Sequence, residues 1–158
     1  MNMRAEQMAI KITIIDEVFA THTPARQEFK HWANSALQAS TIANHVDIRL
    51  VDKMTSAALN AQYRNKKGPT NVLAFNYSDM PGIPSTMLGD LVLCSDLVFE
   101  EAIAQQISVE AHWAHLIIHG MLHLQGYDHE TCEQAKEMEE LETNIVLHLG
   151  YADPYAIL

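Results

Sequence analysis

Three histidines lie close together in residues 119–129, and their spacing suits a metal site. His119 and His123 are four residues apart, so on a helix their imidazoles project from the same face in successive turns. Gly126 can end that helix, because glycine adopts the left-handed conformation found at helix ends. The chain can then turn back and bring His129 to the same point. Three neutral imidazoles are the ligand set of a catalytic zinc ion, with a fourth position left open for water.

The same histidine spacing occurs in the metzincin zinc proteases, but one residue of the protease pattern is missing. In those enzymes a glutamate directly follows the first histidine and acts as the general base, whereas this chain has Gly120 there. The metal-ligand set is therefore complete, while the protease's base is absent. A closed structural zinc site is an alternative, in which Cys132 supplies a fourth ligand three residues after His129.

Length and composition indicate one globular unit. The 158 residues can bury a core of their own, and we expect a single domain over residues 1–158. An apolar content of 48% with 19% charged residues is typical of a soluble domain, and two cysteines are too few for a disulfide framework. The sequence has no run with the apolar length of a membrane span, and its first eight residues lack the apolar segment of a signal peptide. We therefore expect a cytoplasmic protein with no membrane partner.

The net charge of −10 is unevenly distributed along the chain. Residues 1–95 carry nine Lys or Arg and eight Asp or Glu, whereas residues 96–158 carry one Lys and twelve acids. The tightest basic cluster is Arg64-Asn65-Lys66-Lys67. The overall charge argues against a nucleic-acid partner, but a local basic loop at residues 64–67 is compatible with one.

Hydrophobic periodicity and turn residues predict four strands, with most helices after them. Strands are expected at residues 10–15, 46–51, 71–77 and 88–94. Helices are expected at residues 23–40, 54–64, 95–106, 108–124 and 130–149, with Thr23 and Pro24 opening the first and Ser95 and Ser108 capping the third and fourth. The pattern predicts an α+β fold: a mostly mixed four-stranded sheet covered by about five helices, with the zinc site at the C-terminal end of a central helix.

The motifs together resemble those of the YbeY endoribonucleases, which mature ribosomal RNA in bacteria. The resemblance depends first on His-Gly-Met-Leu-His-Leu-Gln-Gly-Tyr-Asp-His at residues 119–129. Further matching blocks are Tyr-Arg at 63–64, Pro-Thr-Asn-Val-Leu-Ala-Phe at 69–75, Leu-Gly-Asp-Leu-Val-Leu-Cys at 88–94, Ala-His-Trp-Ala-His at 111–115 and Gly-Tyr-Ala-Asp-Pro-Tyr at 150–155. They cover most of residues 63–155, while the first sixty residues match in pattern only. Ala74 departs from the family, which often has serine there.

The resemblance implies a zinc-dependent endoribonuclease that prefers single strands, acts in 3′-end maturation of 16S ribosomal RNA and takes part in ribosome quality control. It implies single-stranded ribosomal RNA, the small ribosomal subunit and assembly factors as partners, and no DNA. His119, His123 and His129 match the family's ligands for one zinc ion, and Arg64 matches the arginine that faces its active site.

Phosphodiester hydrolysis has less need of the protease's glutamate when a metal ion and an arginine both counter the charge of the phosphate. Zinc lowers the pKa of its bound water to about 7, and the guanidinium of Arg64 matches two phosphate oxygens at once. We therefore predict Arg64 and the ligand His119 as the catalytic residues. Asp128 is either a base or a partner that orients a ligand imidazole. His115, four residues before His119, is either a second such partner or a core residue.

Two alternatives to a metal-dependent ribonuclease stay open at this point. A zinc peptidase-like hydrolase has the histidine spacing in its favour and Gly120 against it. A ribosome-assembly binding factor with structural zinc would be indicated by a Cys132 ligand. We also expect the acidic side of the last helix to face solvent, away from RNA; its members are Glu133, Glu137 and Glu140.

Overall fold

Four strands and five helices make up the part of the chain that the computed structural model describes, which is residues 10–39, 41–77, 81–82 and 86–156. The strands are β1 (Lys11–Asp16), β2 (His45–Val51), β3 (Val72–Asn76) and β4 (Met87–Cys94). The helices are α1 (Arg26–Ala36), α2 (Lys53–Arg64), α3 (Ser95–Gln105), α4 (Val109–Leu124) and α5 (Cys132–His148). The predicted α+β class, with a four-stranded mixed sheet and five helices, is confirmed.

The strands form one sheet in the order β1-β2-β4-β3. β1, β2 and β4 are parallel, and β3 runs antiparallel to β4 at the edge. Side chains alternate along β2, so that Ile48 and Leu50 are buried on one face while Asp47 and Arg49 lie on the other. This alternation, which the sequence predicted, gives the sheet one face for the main core and one that α2 covers only in part.

Helix α4 is the centre of the main core. Ten of its sixteen residues are buried, which is typical of a helix surrounded by other elements rather than lying at the surface. Its Trp113 meets Phe29 of α1 edge to face, with ring centroids 5.6 Å apart. On the sheet side, a Cβ added to Gly120 would lie 2.7 Å from Cδ2 of Leu91, so glycine at this position lets α4 approach β4 closely.

The predicted start of the first helix is wrong. Thr23 does not cap it and Pro24 is not its first residue; α1 begins at Arg26 after the extended Ala25. Oε1 of Glu28 accepts a hydrogen bond from the backbone nitrogen of Ala25 at 3.3 Å and closes this end. The hydroxyl of Thr23 donates instead to a carbonyl three residues earlier, 2.8 Å away, so it is used in a turn. The helix ends at residue 36 rather than 40.

The other predicted caps have mixed outcomes. Ser108 does cap α4, because its hydroxyl accepts a hydrogen bond from a backbone N–H of the first turn. Ser95 is not a cap: it is the first residue of α3, and Cys94 stands at the cap position. The last helix begins at Cys132, two residues later than predicted, because Thr131 caps it. None of the described helices combines the length and hydropathy needed to cross a bilayer.

Candidate metal centre

The last turns of α4 and the turn that follows bring the three predicted histidines together. His119 and His123 lie on the same side of the helix, with ring centroids 4.7 Å apart. Gly126 adopts φ +98°, and no atom lies near the position of its missing Cβ, so its conformation rather than crowding favours glycine. The chain then returns and places the ring of His129 5.1 Å from that of His123.

The ring nitrogens of these histidines have a separation that suits a zinc ion. One ligand nitrogen from each of His119, His123 and His129 lies within 4.8 Å of the other two. The Nε2 atoms of His119 and His123 are 3.2 Å apart. Tetrahedral zinc with Zn–N bonds of about 2.0–2.1 Å would separate two ligand nitrogens by about 3.3 Å. The donor set and its spacing therefore fit this metal.

The protonation state of His123 also suits metal binding. Burial, and after it the neighbouring His119 and His129, lower the pKa of His123 to about 4. Its imidazole is therefore neutral at pH 7 and offers a lone pair without first losing a proton. Because metal ions bind the neutral ring, proton competition at this ligand is small at neutral pH.

Glu142 of α5 lies behind His119 and orients its ring. The side chain is fully buried, and its Oε1 lies 2.9 Å from Nδ1 of His119. An ionised carboxylate can only accept hydrogen bonds, so Nδ1 of His119 must carry the proton. The lone pair of the neutral ring is then on Nε2, the atom that faces His123. A carboxylate behind a ligand imidazole is a frequent arrangement at zinc sites.

Two more side chains hold this buried carboxylate. Nε2 of His115 lies 2.7 Å from Oε1 of Glu142, and the hydroxyl of Tyr155 donates to Oε2 at 2.5 Å. Burial by itself would raise the pKa of Glu142, but the contacts with His115 and His119 outweigh it and lower the pKa to about 2. Burial and the bond to Glu142 raise the pKa of the Tyr155 phenol. Glu142 is therefore ionised at neutral pH.

The sequence contained a signal for Glu142 that its acidic surroundings concealed. The three acids singled out for the solvent side of α5 are exposed, as predicted. Glu142, however, lies four residues after Met138 and four before Val146, and all three are buried. A carboxylate on the apolar side of a helix needs a partner inside the fold. That position, rather than the density of acids, distinguishes Glu142 from the exposed acids of the same helix.

The structure separates the two residues proposed as partners of a ligand imidazole: Asp128 contacts the backbone instead, while His115 lies behind His119, which is one of the two positions that the sequence left open. Oδ1 of Asp128 accepts a hydrogen bond from the backbone nitrogen of His129 at 2.8 Å, so this carboxylate shapes the turn that carries the ligand. The ring contact expected of Asp128 is made by Glu142 instead. His115 contacts the same Glu142 and therefore belongs to the shell behind His119.

Arg64 lies on the wall of the same cleft. The cleft has a volume of about 730 Å³, and the three histidines, Arg64 and Lys66 all line it. Nη2 of Arg64 donates to the backbone oxygen of Ala74 at 3.2 Å, which ties the guanidinium to strand β3. Arg64 ends α2 and Lys66 lies in the loop after it. The fold thus brings two cations that are far from the histidines in the sequence to the metal cleft.

Two buried polar side chains of α2 hold the basic loop in place. The hydroxyl of Ser56 donates to the carbonyl of Thr70 at 2.9 Å and accepts from its N–H at 3.0 Å. Nδ2 of Asn60 donates to the carbonyl of Gly68 at 2.9 Å. Neither residue was predicted from the sequence, because a serine or an asparagine inside a helix is common and belongs to no motif here. Their bonds give residues 64–70 a defined path beside the cleft.

The structure weakens both alternatives to a ribonuclease. The peptidase base is absent, and the Cβ of a glutamate at position 120 would lie 2.7 Å from Cδ2 of Leu91, so that Leu91 would have to shift to admit it. Cys132 is exposed at the start of α5. Among the described residues, the ligand group around His123 and His129 contains no cysteine.

Comparisons with known proteins agree with this architecture. A family model described as "Endoribonuclease YbeY" matches residues 11–150. The solution structure of TM1509 from Thermotoga maritima is similar, with a TM-score of 0.51 and 23% sequence identity, covering 93% of this chain and 100% of that one. At this identity the structural likeness concerns the fold alone.

Proposed function

The chain belongs to the YbeY family of endoribonucleases, and from this premise we propose that it is a zinc-dependent enzyme that hydrolyses phosphodiester bonds of single-stranded ribosomal RNA. The observation that carries the proposal is one cleft in which three imidazoles and an arginine meet. His119, His123 and His129 supply the metal ligands, and Arg64 lies on the wall. A metal ligand set beside a guanidinium suits a substrate whose reacting group is an anion with several oxygens.

Arg64 binds and orients the phosphate in this proposal. Its guanidinium has five N–H donors, and the bond to Ala74 uses only one nitrogen. The remaining donors can engage two oxygens of a phosphate, and their charge counters the negative charge that grows in the transition state. Lys66 on the same wall adds a cation that attracts the RNA backbone.

Glu142 keeps the metal ligand His119 in the tautomer that can bind a metal ion. Glu142 holds the proton of His119 on Nδ1, so that Nε2 faces the cleft. His115 and His119 keep the carboxylate ionised, and the bond from Tyr155 holds it in place. A bound zinc ion would supply Lewis acidity towards a phosphate oxygen and towards water.

The cleft also supports a preference for single strands. The ligand nitrogens lie within a concave site, and a flexible strand can bend into such a site while a stiff duplex presents a convex surface. By membership of the family we extend the proposal to 3′-end maturation of 16S ribosomal RNA and ribosome quality control. The partners would be the small ribosomal subunit and its assembly factors, in the cytoplasm.

The proposal is tested with the purified protein and one equivalent of zinc. The substrates are an RNA strand from the 3′ region of the 16S molecule, the same strand in a duplex, and a DNA strand of equal sequence. We expect cleavage of single-stranded RNA, loss of cleavage with a chelator and recovery when zinc is added back. Arg64→Ala should cut about 10²–10³-fold more slowly while its zinc content stays unchanged.

A different set of results would remove the proposal. Full RNA cleavage by Arg64→Ala would mean that this residue does not act on the phosphate. RNA cleavage that persists after complete zinc removal, or in His123→Ala without bound metal, would exclude a metal-dependent reaction. Hydrolysis of an unstructured peptide, with no RNA cleavage, would favour the peptidase alternative.

A further inference from the structure

A second cleft lies beside the metal cleft, on the side of strand β3 that faces α2. Its volume is about 560 Å³. Three aromatic side chains line it, those of Tyr63, Phe75 and Tyr77, together with Leu59 and Val92. A concave site with several aromatic rings is typical of sites that bind a flat ligand.

The two clefts adjoin each other. Ala74 and Asn76 line both of them, and β3, which carries these residues, is the edge strand of the sheet. Tyr63 in the second cleft directly precedes Arg64 in the first. An extended polymer bound at the metal cleft can therefore cross the edge of β3 and reach the aromatic side chains.

The charges in the two clefts differ in a way that matches the two parts of a nucleotide. Arg64 and Lys66 line the metal cleft together with the acids Asp128 and Glu130, and a bound zinc ion would add two positive charges where a phosphate would lie. In the second cleft the charges are one arginine, which is paired, and one aspartate, of which one oxygen is paired and the other, Oδ1, is buried and has no hydrogen-bond partner among the described residues. The guanidinium of Arg49 pairs with both oxygens of Glu17 at 3.0 and 3.1 Å, and Asp90 accepts a hydrogen bond from Tyr77. A neutral flat ring suits this cleft better than a phosphate does.

Tyr63 is an exposed ring that packs against one neighbouring ring. It is 57% exposed, although it is a large aromatic residue at the end of α2. Its ring meets that of Phe75 edge to face, with centroids 5.2 Å apart and planes at 75°. An exposed aromatic ring that already contacts a neighbour loses less conformational freedom when a base stacks on it than a ring without such a contact.

We propose that the second cleft binds a base of single-stranded RNA next to the cleaved bond, with Tyr63 as the stacking surface. The inference rests on the proposed function for the identity of the polymer. The phosphate of the same strand lies against Arg64, and the base of a flanking nucleotide turns across β3 into the aromatic cleft.

The test measures binding, so that it is separate from catalysis. Zinc-loaded protein is titrated against labelled RNA strands with phosphorothioate linkages that resist cleavage, and affinity is read by fluorescence anisotropy. Tyr63→Ala should bind about 5- to 150-fold more weakly, whereas Tyr63→Phe keeps the ring and should bind within about twofold of the parent. Met54→Ala is the matched control, since Met54 is also apolar and exposed on α2.

Abasic nucleotides then locate the base. One base at a time is removed along the strand, and each strand is titrated against the parent protein and Tyr63→Ala. We expect one position at which the abasic strand binds the parent as weakly as the full strand binds Tyr63→Ala. At that position the variant should show no further loss, because the same stacking contact is already gone.

Several outcomes would overturn this inference while leaving the proposed function intact. RNA affinity unchanged in Tyr63→Ala would do so, as would abasic losses of equal size in both proteins at every position. A variant that keeps its RNA affinity but loses a protein partner would identify the cleft as a protein-docking site. If the expected binding pattern is found and the parent cuts no RNA, the stacking site stands and the proposed function fails.

Discussion

The substitution Glu142→Gln removes one negative charge from behind the metal centre and changes little else in shape. Glu142 is fully buried and contacts His119, His115 and Tyr155. Glutamine can still accept a hydrogen bond from Nδ1 of His119 through its carbonyl oxygen. Its NH₂ group then faces the hydroxyl of Tyr155, which can rotate and accept instead of donating. The main loss is the charge that strengthens the bond to His119.

The size of the effect follows from these contacts. A hydrogen bond to a charged group contributes about 1.5–3 kcal/mol and a neutral one about 0.5–1.5 kcal/mol, so the bond to His119 should lose about 1–2 kcal/mol. The bond is present without the metal and is strengthened when zinc draws charge from the ring, so zinc affinity should be weaker by at most this amount, about 5- to 30-fold. Partners behind metal ligands typically contribute about 10- to 100-fold to metal affinity or activity, which overlaps this range.

The assay is a zinc titration against a competing chromophoric chelator at pH 7, with the fold checked by circular dichroism. Glu140→Gln is the matched control, because Glu140 lies on the same helix and is exposed, and it should bind zinc as the parent does. Equal zinc affinity in folded Glu142→Gln and the parent would refute the reasoning. It would mean that the charge on Glu142 does not act on the metal through His119.

Four further predictions concern other parts of the molecule. Arg64→Lys should cut RNA more slowly, by about 10-fold or more, in a single-turnover assay, since lysine keeps the charge but loses the two-pronged contact; activity equal to the parent would contradict a bidentate role. Gly120→Ala should lower the free energy of unfolding, measured in urea, by about 1 kcal/mol. The added methyl group would be overpacked against Leu91, and this cost exceeds the gain in helix propensity. A more stable variant would contradict the close packing. Burial holds the pKa of His123 at about 4, below its value in the unfolded chain. Between pH 6.5 and 4 the unfolded chain therefore binds more protons than the folded protein. The metal-free protein should lose stability as the pH falls through that range. His123→Asn should flatten that part of the curve in urea unfolding at several pH values, and an unchanged curve would contradict the assignment. Neutralising the exposed acids of α5 should leave RNA affinity within about twofold, and a large change would place that helix near the RNA path; the residues are Glu133, Glu137 and Glu140.

Local spacing accounts for what the sequence alone could determine. His119 and His123 are one helical turn apart and Gly126 ends the helix, so short-range geometry is enough to predict that His129 returns to them. The same applies to the alternation along β2, which showed the buried face of the sheet before any partner strand was known. Family motifs at residues 63–155 added the expected chemistry.

Helix ends were harder to predict, because several side chains compete for them. Thr23 has the residue type of a cap but donates its hydroxyl to a turn, and Ser95 lies one residue inside its helix. Thr131 caps α5, although the sequence placed the helix start at residue 130. Each outcome depends on which hydrogen-bond partner the neighbouring backbone offers, and residue type alone does not specify that.

Tertiary structure alone decided which distant residues meet at the metal centre. Glu142 lies 23 residues from His119 along the chain, and only the packing of α5 against α4 brings its carboxylate to that ring. Arg64 reaches the cleft because Ser56 and Asn60 hold the loop after α2 and because β3 forms the edge of the sheet beside it. Such contacts depend on the order of strands and the docking of helices. Long-range packing sets both, and no local periodicity encodes them.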